Sequence, residues 1–385
     1  MSLTLVQGGR PSARGHAPAP PGRASRAQAP ALGAPALKAR ALGEFAPSRL
    51  LWARDHRMMT RAELAQACGL SLSALAGYEQ GRKAPSKESQ KKLADALGVA
   101  PHFFRLPELD DVPEAAVSFR KASKSSKRHQ RAARGDARMA VELFEAVEQH
   151  FTLPAPRIPS ITGETPELAA DLLRAEWHLG DRPIAHMMSL LESKGVRILS
   201  LDHRYKDIDA FCFVREEVPY VLVSTTKSGE RQRFDLAHEL GHLVMHSDDD
   251  EEVGSKEREA QANAFASAFL MPASRVRAQG MRAAATGRIV KAKAYWRVSA
   301  MAMTRRLHDL DLLTDWQYRT ASIELTRQGY RSGEPGGIIP ERSQLLRKVF
   351  QSADGHMSIH DASSALGLRD EDTRAYMRDL MIASA

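Results

Sequence analysis

Between Arg233 and His246 the chain reads RFDLAHELGHLVMH. A helix turns by about 100° per residue, so residues four apart share a face. His238 and His242 therefore stand one turn apart on one side, with Glu239 beside them. Asp235 and His246 fall within the same arc of roughly 100°, whereas Leu236, Leu240, Leu243 and Val244 fall on the other side. A helix built this way has to bury its leucines in a core while gathering histidines and carboxylates on the opposite face.

Two imidazoles one turn apart are what a helix offers to Zn²⁺. A carboxylate next to them, Glu239, is placed to take a proton from a metal-acidified water and return it to a leaving amine. A catalytic zinc usually takes a third protein ligand. The next expected helix, from about 256 to 270, carries Ala262, Ala266, Phe269 and Leu270 on its apolar stripe. Glu259 lies on that stripe and Glu257 on roughly the opposite face, and an inward carboxylate needs a cation or a hydrogen-bond partner. The expected ligands of one Zn²⁺ per chain are His238, His242 and Glu259. Asn263, one turn on, is a candidate for steadying a ligand. His246, Tyr220 and Arg231 are candidates for the same task or for stabilising a transition state. The acidic run Asp248–Glu252 reads as a solvated loop. A structural or vestigial metal site, or a surface histidine cluster, is the alternative.

A second pattern lies at Met59–Val99. Thr60 followed by Glu63 is a capping box, and the helix it starts buries Leu64 and Ala65. Gly69 supplies a tight turn, Ser71 caps a helix burying Leu75 and Tyr78, and Gly81 ends it. Ser86 starts another helix, burying Leu93, Ala94 and Leu97. Three short helices around a tight turn are a helix-turn-helix arrangement. Arg61, Arg82 and Lys83 are candidates for phosphate contacts, which position a duplex without reading it.

The 385 residues suffice for two or three domains, and no apolar run is long enough to span a membrane as a helix. Cys68 and Cys212 are far apart and lack metal-ligand spacing, which fits a reducing, cytoplasmic setting. The net charge of +8 says little about the folded domains: Arg10, Arg14, Arg23, Arg26, Lys38 and Arg40, with no acid among residues 1–40, account for six of it. The expected class is α+β, mostly helical. The expected parts are a disordered Ala/Pro/Arg-rich tail (1–43), an all-α helix-turn-helix bundle (45–106), a charged connector (107–160), a metal-site domain with a small β-sheet (161–335) and a small helical C-terminal segment (336–385). Short strands are expected at Val196–Leu201, Ile208–Val214 and Tyr220–Ser224. Trp296, Trp316 and Tyr318 are expected to anchor C-terminal packing. Ser358–Leu380 has a faint helix-turn-helix look, with Gly367 at the turn.

Two family resemblances follow from these residues. Ala62–Ala65, Gly69–Ser71, Tyr78–Arg82, Pro85 and Leu93–Val99 resemble the Cro/CI or XRE family of helix-turn-helix domains. That likeness implies a DNA binder, often dimeric, whose second motif helix enters the major groove, with Leu72, Ser73 and Gly77 at base-reading positions beside the capping Ser71. Gly229–Arg231, Arg233–Phe234, Ala237–His242, Glu259, Ala262–Asn263, Phe265–Ala266 and Leu270–Pro272 resemble the ImmA/IrrE family of zinc metallopeptidases, over about Glu167–Pro335. Phe119–Lys121 and Trp296–Ser299 resemble versions fused to a helix-turn-helix. This likeness implies a compact gluzincin-like fold, two histidines and a glutamate on zinc, and cleavage of a specific repressor that controls stress-response or mobile-element genes in a bacterial cytoplasm. The other readings are a transcription regulator whose peptidase-like domain is a sensor, and an antitoxin-type regulator acting by protein binding. Leu72, Ser73 and Gly77 include no long polar side chain for bidentate base reading, so a docking bundle that no longer reads DNA also stays open.

Overall fold

The computed structural model describes residues 4–5, 42–109, 127–205, 207–246, 256–352 and 356–381. The tail expected to be disordered lies outside them apart from strand β1 (Thr4–Leu5) and residues 42–43, as do Phe119–Lys121 and the acidic run Asp248–Glu252.

The N-terminal bundle consists of α1 (Pro47–His56), α2 (Arg61–Cys68), α3 (Leu72–Glu79) and α4 (Lys87–Leu97), closed by a 3₁₀ turn at Pro101–Arg105. The capping box forms as the spacing predicts: the Thr60 hydroxyl accepts from the Glu63 amide at 3.2 Å, and the Glu63 carboxylate accepts from the Thr60 amide at 2.6 Å. Gly69 takes the left-handed conformation, φ +63°, that lets α2 end and α3 start across its direction. Leu64, Leu75, Leu93 and Leu97 meet Trp52, Phe103 and Phe104 in the core.

The stretch expected to be a charged connector contains the 22-residue helix α5 (Lys127–Glu148). Its inward face is built largely from small residues, Ala132, Ala133, Ala137 and Ala140, with Leu143 and Val147. Gly135 lets Trp52 donate its indole N–H to the Gly135 carbonyl at 2.7 Å; a Cβ at Gly135 would stand 2.9 Å from that ring. Arg49 of α1 also pairs with Glu142 of α5 at 2.5 Å. Strand β2 (Phe151–Thr152) follows and pairs antiparallel with β1.

Next come α6 (Pro166–Glu176) and α7 (Met187–Ser193), then β3 (Arg197–Ser200), β4 (Ala210–Arg215) and β5 (Val218–Val223). The sheet order is β3-β5-β4, with β5 parallel to β3 and antiparallel to the edge strand β4. Helices α8 (Gly229–Met245) and α9 (Lys256–Leu270) pack on one another, and α8 also lies against β4 and β5. Four more helices complete this unit: α10 (Ala273–Ala278), α11 (Thr286–Trp296), α12 (Ala300–Asp309) and α13 (Asp315–Arg327). Trp296 is fully buried and Tyr318 half-buried, but Trp316 is 73 % exposed and anchors nothing, because its position on α13 faces outward.

The C-terminal helices α14 (Gln344–Gln351), α15 (Ile359–Leu366) and α16 (Asp370–Ala375) touch both units. Gly367, at φ +66°, turns α15 into α16 and fits under Phe103, and its carbonyl accepts from the Ala100 amide at 2.9 Å. Arg57 holds Asp372 through two bonds of 2.8 and 2.6 Å. On the other side the Ser200 amide of β3 donates to the Tyr376 carbonyl at 2.7 Å.

Candidate metal centre

Helix α8 starts at Ser228, whose hydroxyl accepts from the Arg231 amide at 3.3 Å. Its first two turns are fixed by the segment that precedes α14. Arg233 is fully buried and pairs with the buried Glu341, while its other nitrogens donate to the Ile184 and Arg297 carbonyls at 2.8 and 3.1 Å. Gln232 exchanges two bonds with the Glu341 backbone, and Glu230 accepts from the Ile338 amide at 2.9 Å. Further along, Gly241 lets α9 come close: a Cβ there would meet a Phe265 ring carbon at 3.0 Å and the Ala262 Cα at 3.2 Å.

That approach brings Glu259 to the two histidines. His238 Nε2 and His242 Nε2 are 3.1 Å apart, and Glu259 lies 3.5 Å from the first and 3.3 Å from the second. One donor atom from each residue falls within 4.8 Å of the others. Donors about 2.0–2.1 Å from a tetrahedral zinc stand roughly 3.3–3.4 Å apart, so these three residues fit such an ion. Burial works to raise the Glu259 pKa, but hydrogen bonds and charge from His238 and His242 outweigh it and hold the carboxyl well below the usual range. Glu257 is exposed on the other side of α9. Glu239 is fully buried, and its backbone carbonyl accepts from the Cys212 thiol at 3.6 Å, which ties β4 to the middle of α8.

The other expected site residues separate. His246 caps the C-terminus of α8; its Nδ1 is 3.0 Å from His242 Nδ1, and its Nε2 is 2.9 Å from the Gln261 side-chain oxygen. It thus sits behind His242, and Gln261 is a participant that the sequence alone did not single out. Asn263 donates to the Glu259 backbone carbonyl at 2.6 Å, one turn back on α9. Arg231 bonds Asp209 at 2.8 Å and Asp235 at 3.1 Å, just N-terminal of the histidines. Tyr220 is a correction. In register it pairs with Phe213, whereas Val221 pairs with Cys212, whose thiol points at α8. Successive residues of a strand face opposite sides, so Tyr220 faces away from α8. It stacks on Phe213 at 4.9 Å and meets Phe144 of α5 at 6.1 Å, and burial there pushes its pKa up.

In the N-terminal bundle, Ser71 caps α3 by accepting from the Ala74 amide at 3.1 Å. Leu72 is 55 % exposed, and Ser73, Arg82 and Lys83 are exposed as well. Gly77 is buried, with the Lys83 stem 3.9 Å from where its Cβ would stand, so it does not present itself for base reading. Arg61 shares the buried Glu79 with Arg54, at 2.7 and 2.6 Å, and keeps less than half of its side chain exposed for a phosphate.

Among known families, residues 191–308 match the IrrE N-terminal-like domain and residues 50–104 match the helix-turn-helix family. No curated protein matches the chain. His238, His242 and Glu259 fall inside the first match, and α2 and α3 fall inside the second. The chain therefore joins an XRE-type helix-turn-helix domain to an IrrE N-terminal-like, peptidase-like domain, in that order.

Proposed function

We propose that this protein is a DNA-binding regulator whose peptidase-like domain is a zinc-dependent endopeptidase that cleaves a specific repressor protein. The observation that carries the reading is the convergence of His238, His242 and Glu259 within bonding distance of one ion, on the helix that also bears the buried Glu239. Zinc held there supplies Lewis acidity toward water and toward a scissile carbonyl. Glu239 acts as the general base and then as the acid that protonates the leaving amine. His246, backed by Gln261, holds the His242 ring in orientation. Strand β4, last in the strand order and packed against α8, suits an extended protein segment better than a small molecule. Placing the enzyme on DNA raises its effective concentration near an operator-bound repressor.

The test is zinc content together with cleavage of repressors encoded at neighbouring loci, for the wild type and Glu239→Gln. The expected result is about one zinc in each protein, the single-site value, with cleavage by the wild type alone. A second reading, a regulator whose peptidase-like domain senses a metal, peptide or metabolite, is favoured by one observation. The C-terminal helices are hydrogen-bonded to both domains, an arrangement suited to relaying a bound state. It moves ahead if both proteins hold zinc and neither cuts any candidate.

A further inference from the structure

The outward face of α3 is unusual for a helix that enters a groove, and the following inference rests on the DNA-binding reading above. Leu72, the first residue of α3, leaves 55 % of its surface in solvent, and Ser73 beside it is exposed. Ala76, one turn on from Leu72, is half-buried. The one acid of the helix, Glu79, is buried and paired with Arg54 and Arg61. Gln80, the residue that ends the helix, stands at the far end, two turns from Leu72. The end of a recognition helix that meets base edges is its N-terminal end. There this chain offers an isobutyl group and a hydroxyl.

Exposed cations lie past the other end of α3 and on the helix that follows. Arg82, Lys83, Lys87 and Lys91 are exposed in the turn after α3 and along α4, and the exposed Glu88 is paired with Lys92 at 2.8 Å. Cations so exposed match phosphate, which, with the helix-turn-helix match over residues 50–104, names a nucleic-acid duplex as the occupant. Guanine is read by paired donors from Arg or Lys and adenine by Asn or Gln, neither of which stands at the tip. A base edge that rewards an apolar side chain is that of thymine, through its C5 methyl group.

We propose that α3 reads thymine methyl groups in the major groove and that Leu72 is the residue that distinguishes thymine. Ser73 adds a hydrogen bond of low selectivity, and Arg82 and Lys83 hold the flanking phosphates.

The test starts from a random-sequence duplex library bound to the full chain. The tightest duplex is then remade with deoxyuridine at the enriched thymines, which removes the methyl and keeps base pairing. Binding by the wild type weakens by about fourfold for each contacted methyl lost, the factor for burying one methyl-sized group. Leu72→Ala loses a similar factor on the thymine duplex and no longer distinguishes thymine from uracil. Because Leu72 is exposed, its unfolding midpoint stays at the wild-type value. Lys83→Ala weakens both duplexes equally and lowers the salt slope by about 1. If a motif is selected but the two duplexes bind equally well, or if binding selects no motif, the Leu72 proposal is overturned while DNA binding stands. If no duplex binds even at low salt, the DNA-binding reading fails with it, and α3 is left as a protein-docking surface.

Discussion

His56 sits where the helix-turn-helix domain meets α5 and the C-terminal helices, and its proton links their association to pH. Its Nδ1 is 3.0 Å from Asp136 of α5, and its Nε2 is 3.9 Å from Asp372 of α16. The Tyr376 hydroxyl donates to the same Asp136 oxygen at 2.9 Å, Arg57 holds Asp372, and Trp52 stacks on the imidazole at 4.7 Å. Burial by itself lowers the His56 pKa. The hydrogen bond and charge of Asp136, with help from Asp372, overcome it against a small opposing effect of Arg204, and raise the pKa to about 9. An unfolded histidine titrates near ~6.5. The folded value is the higher one, so the stabilisation is fully present below about 6.5 and is lost as pH rises through about 9. At about 1.36 kcal/mol per pH unit this amounts to roughly 3 kcal/mol. Asp372 behaves oppositely. Burial raises its pKa, but His56 and Arg57 outweigh that and depress it to about 2, so its contribution holds above the unfolded value of about 3.8 and is lost only as pH falls through about 2.

The assay is urea unfolding of the wild type and His56→Gln at intervals from about pH 6 to about pH 10. Chains of several domains need not unfold in one step, so amide exchange in α15 and α16 gives the local readout. The wild type's advantage over the variant should shrink by roughly 3 kcal/mol across that range, progressively between about pH 6.5 and about pH 9, with little left to lose beyond. A difference that stays constant would refute the reasoning, because it would mean that His56 carries no proton between the two carboxylates.

Glu259→Ala is expected to weaken zinc binding by more than about 100-fold, beyond what loss of a supporting partner costs, while Glu257→Ala leaves it unchanged; competition with a chromogenic chelator measures both. In Gly241→Ala the new methyl stands 3.0–3.2 Å from Phe265 and Ala262 atoms, so α9 must yield, and zinc affinity should fall although no ligand is touched. Gly195→Ala puts a Cβ 2.5 Å from the Ala155 carbonyl at φ +88°, and should lower the thermal midpoint by an amount equivalent to more than about 3 kcal/mol.

What the sequence made legible was what lies within one helix or one turn. Thr60 and Glu63 name their own partners three residues apart, and His238 and His242 share a face whatever surrounds them. Glu259 could be chosen over Glu257 because the apolar stripe of α9 says which way that helix faces. The side that Tyr220 faces is not legible in the sequence, because it depends on the register with Phe213, a relation between strands that periodicity does not carry. Helix α5 was hidden for another reason. Its buried face is mostly alanine, and the arginines and lysines between those alanines dominate the composition. The spacing of Ala132, Ala133, Ala137, Ala140, Leu143 and Val147 does carry a helical period, and that was the signal available.

The start of α8 shows the limit most clearly. Glu230, Gln232 and Arg233 look like a solvated first turn, yet all three are buried. Their partners lie about a hundred residues further on, at Ile338 and Glu341, with Lys293 reaching Glu230 at 3.4 Å and Glu334 at 2.9 Å. Buried ion pairs add little stability over an apolar replacement of the same shape, because desolvation cancels most of the attraction. What they supply here is a fixed rotation and height for α8, since each polar group is satisfied in one register and a shifted helix would strand several of them. The proposed zinc binding needs that constraint: two imidazole nitrogens and a carboxylate from another helix must keep their 3.1–3.5 Å spacings to within about half an ångström. The close contact at Gly241 sets the distance between α8 and α9, and the segment 334–341 sets the angle of α8. The residues that chemistry singles out are thus held in place by residues that only the folded chain brings to them.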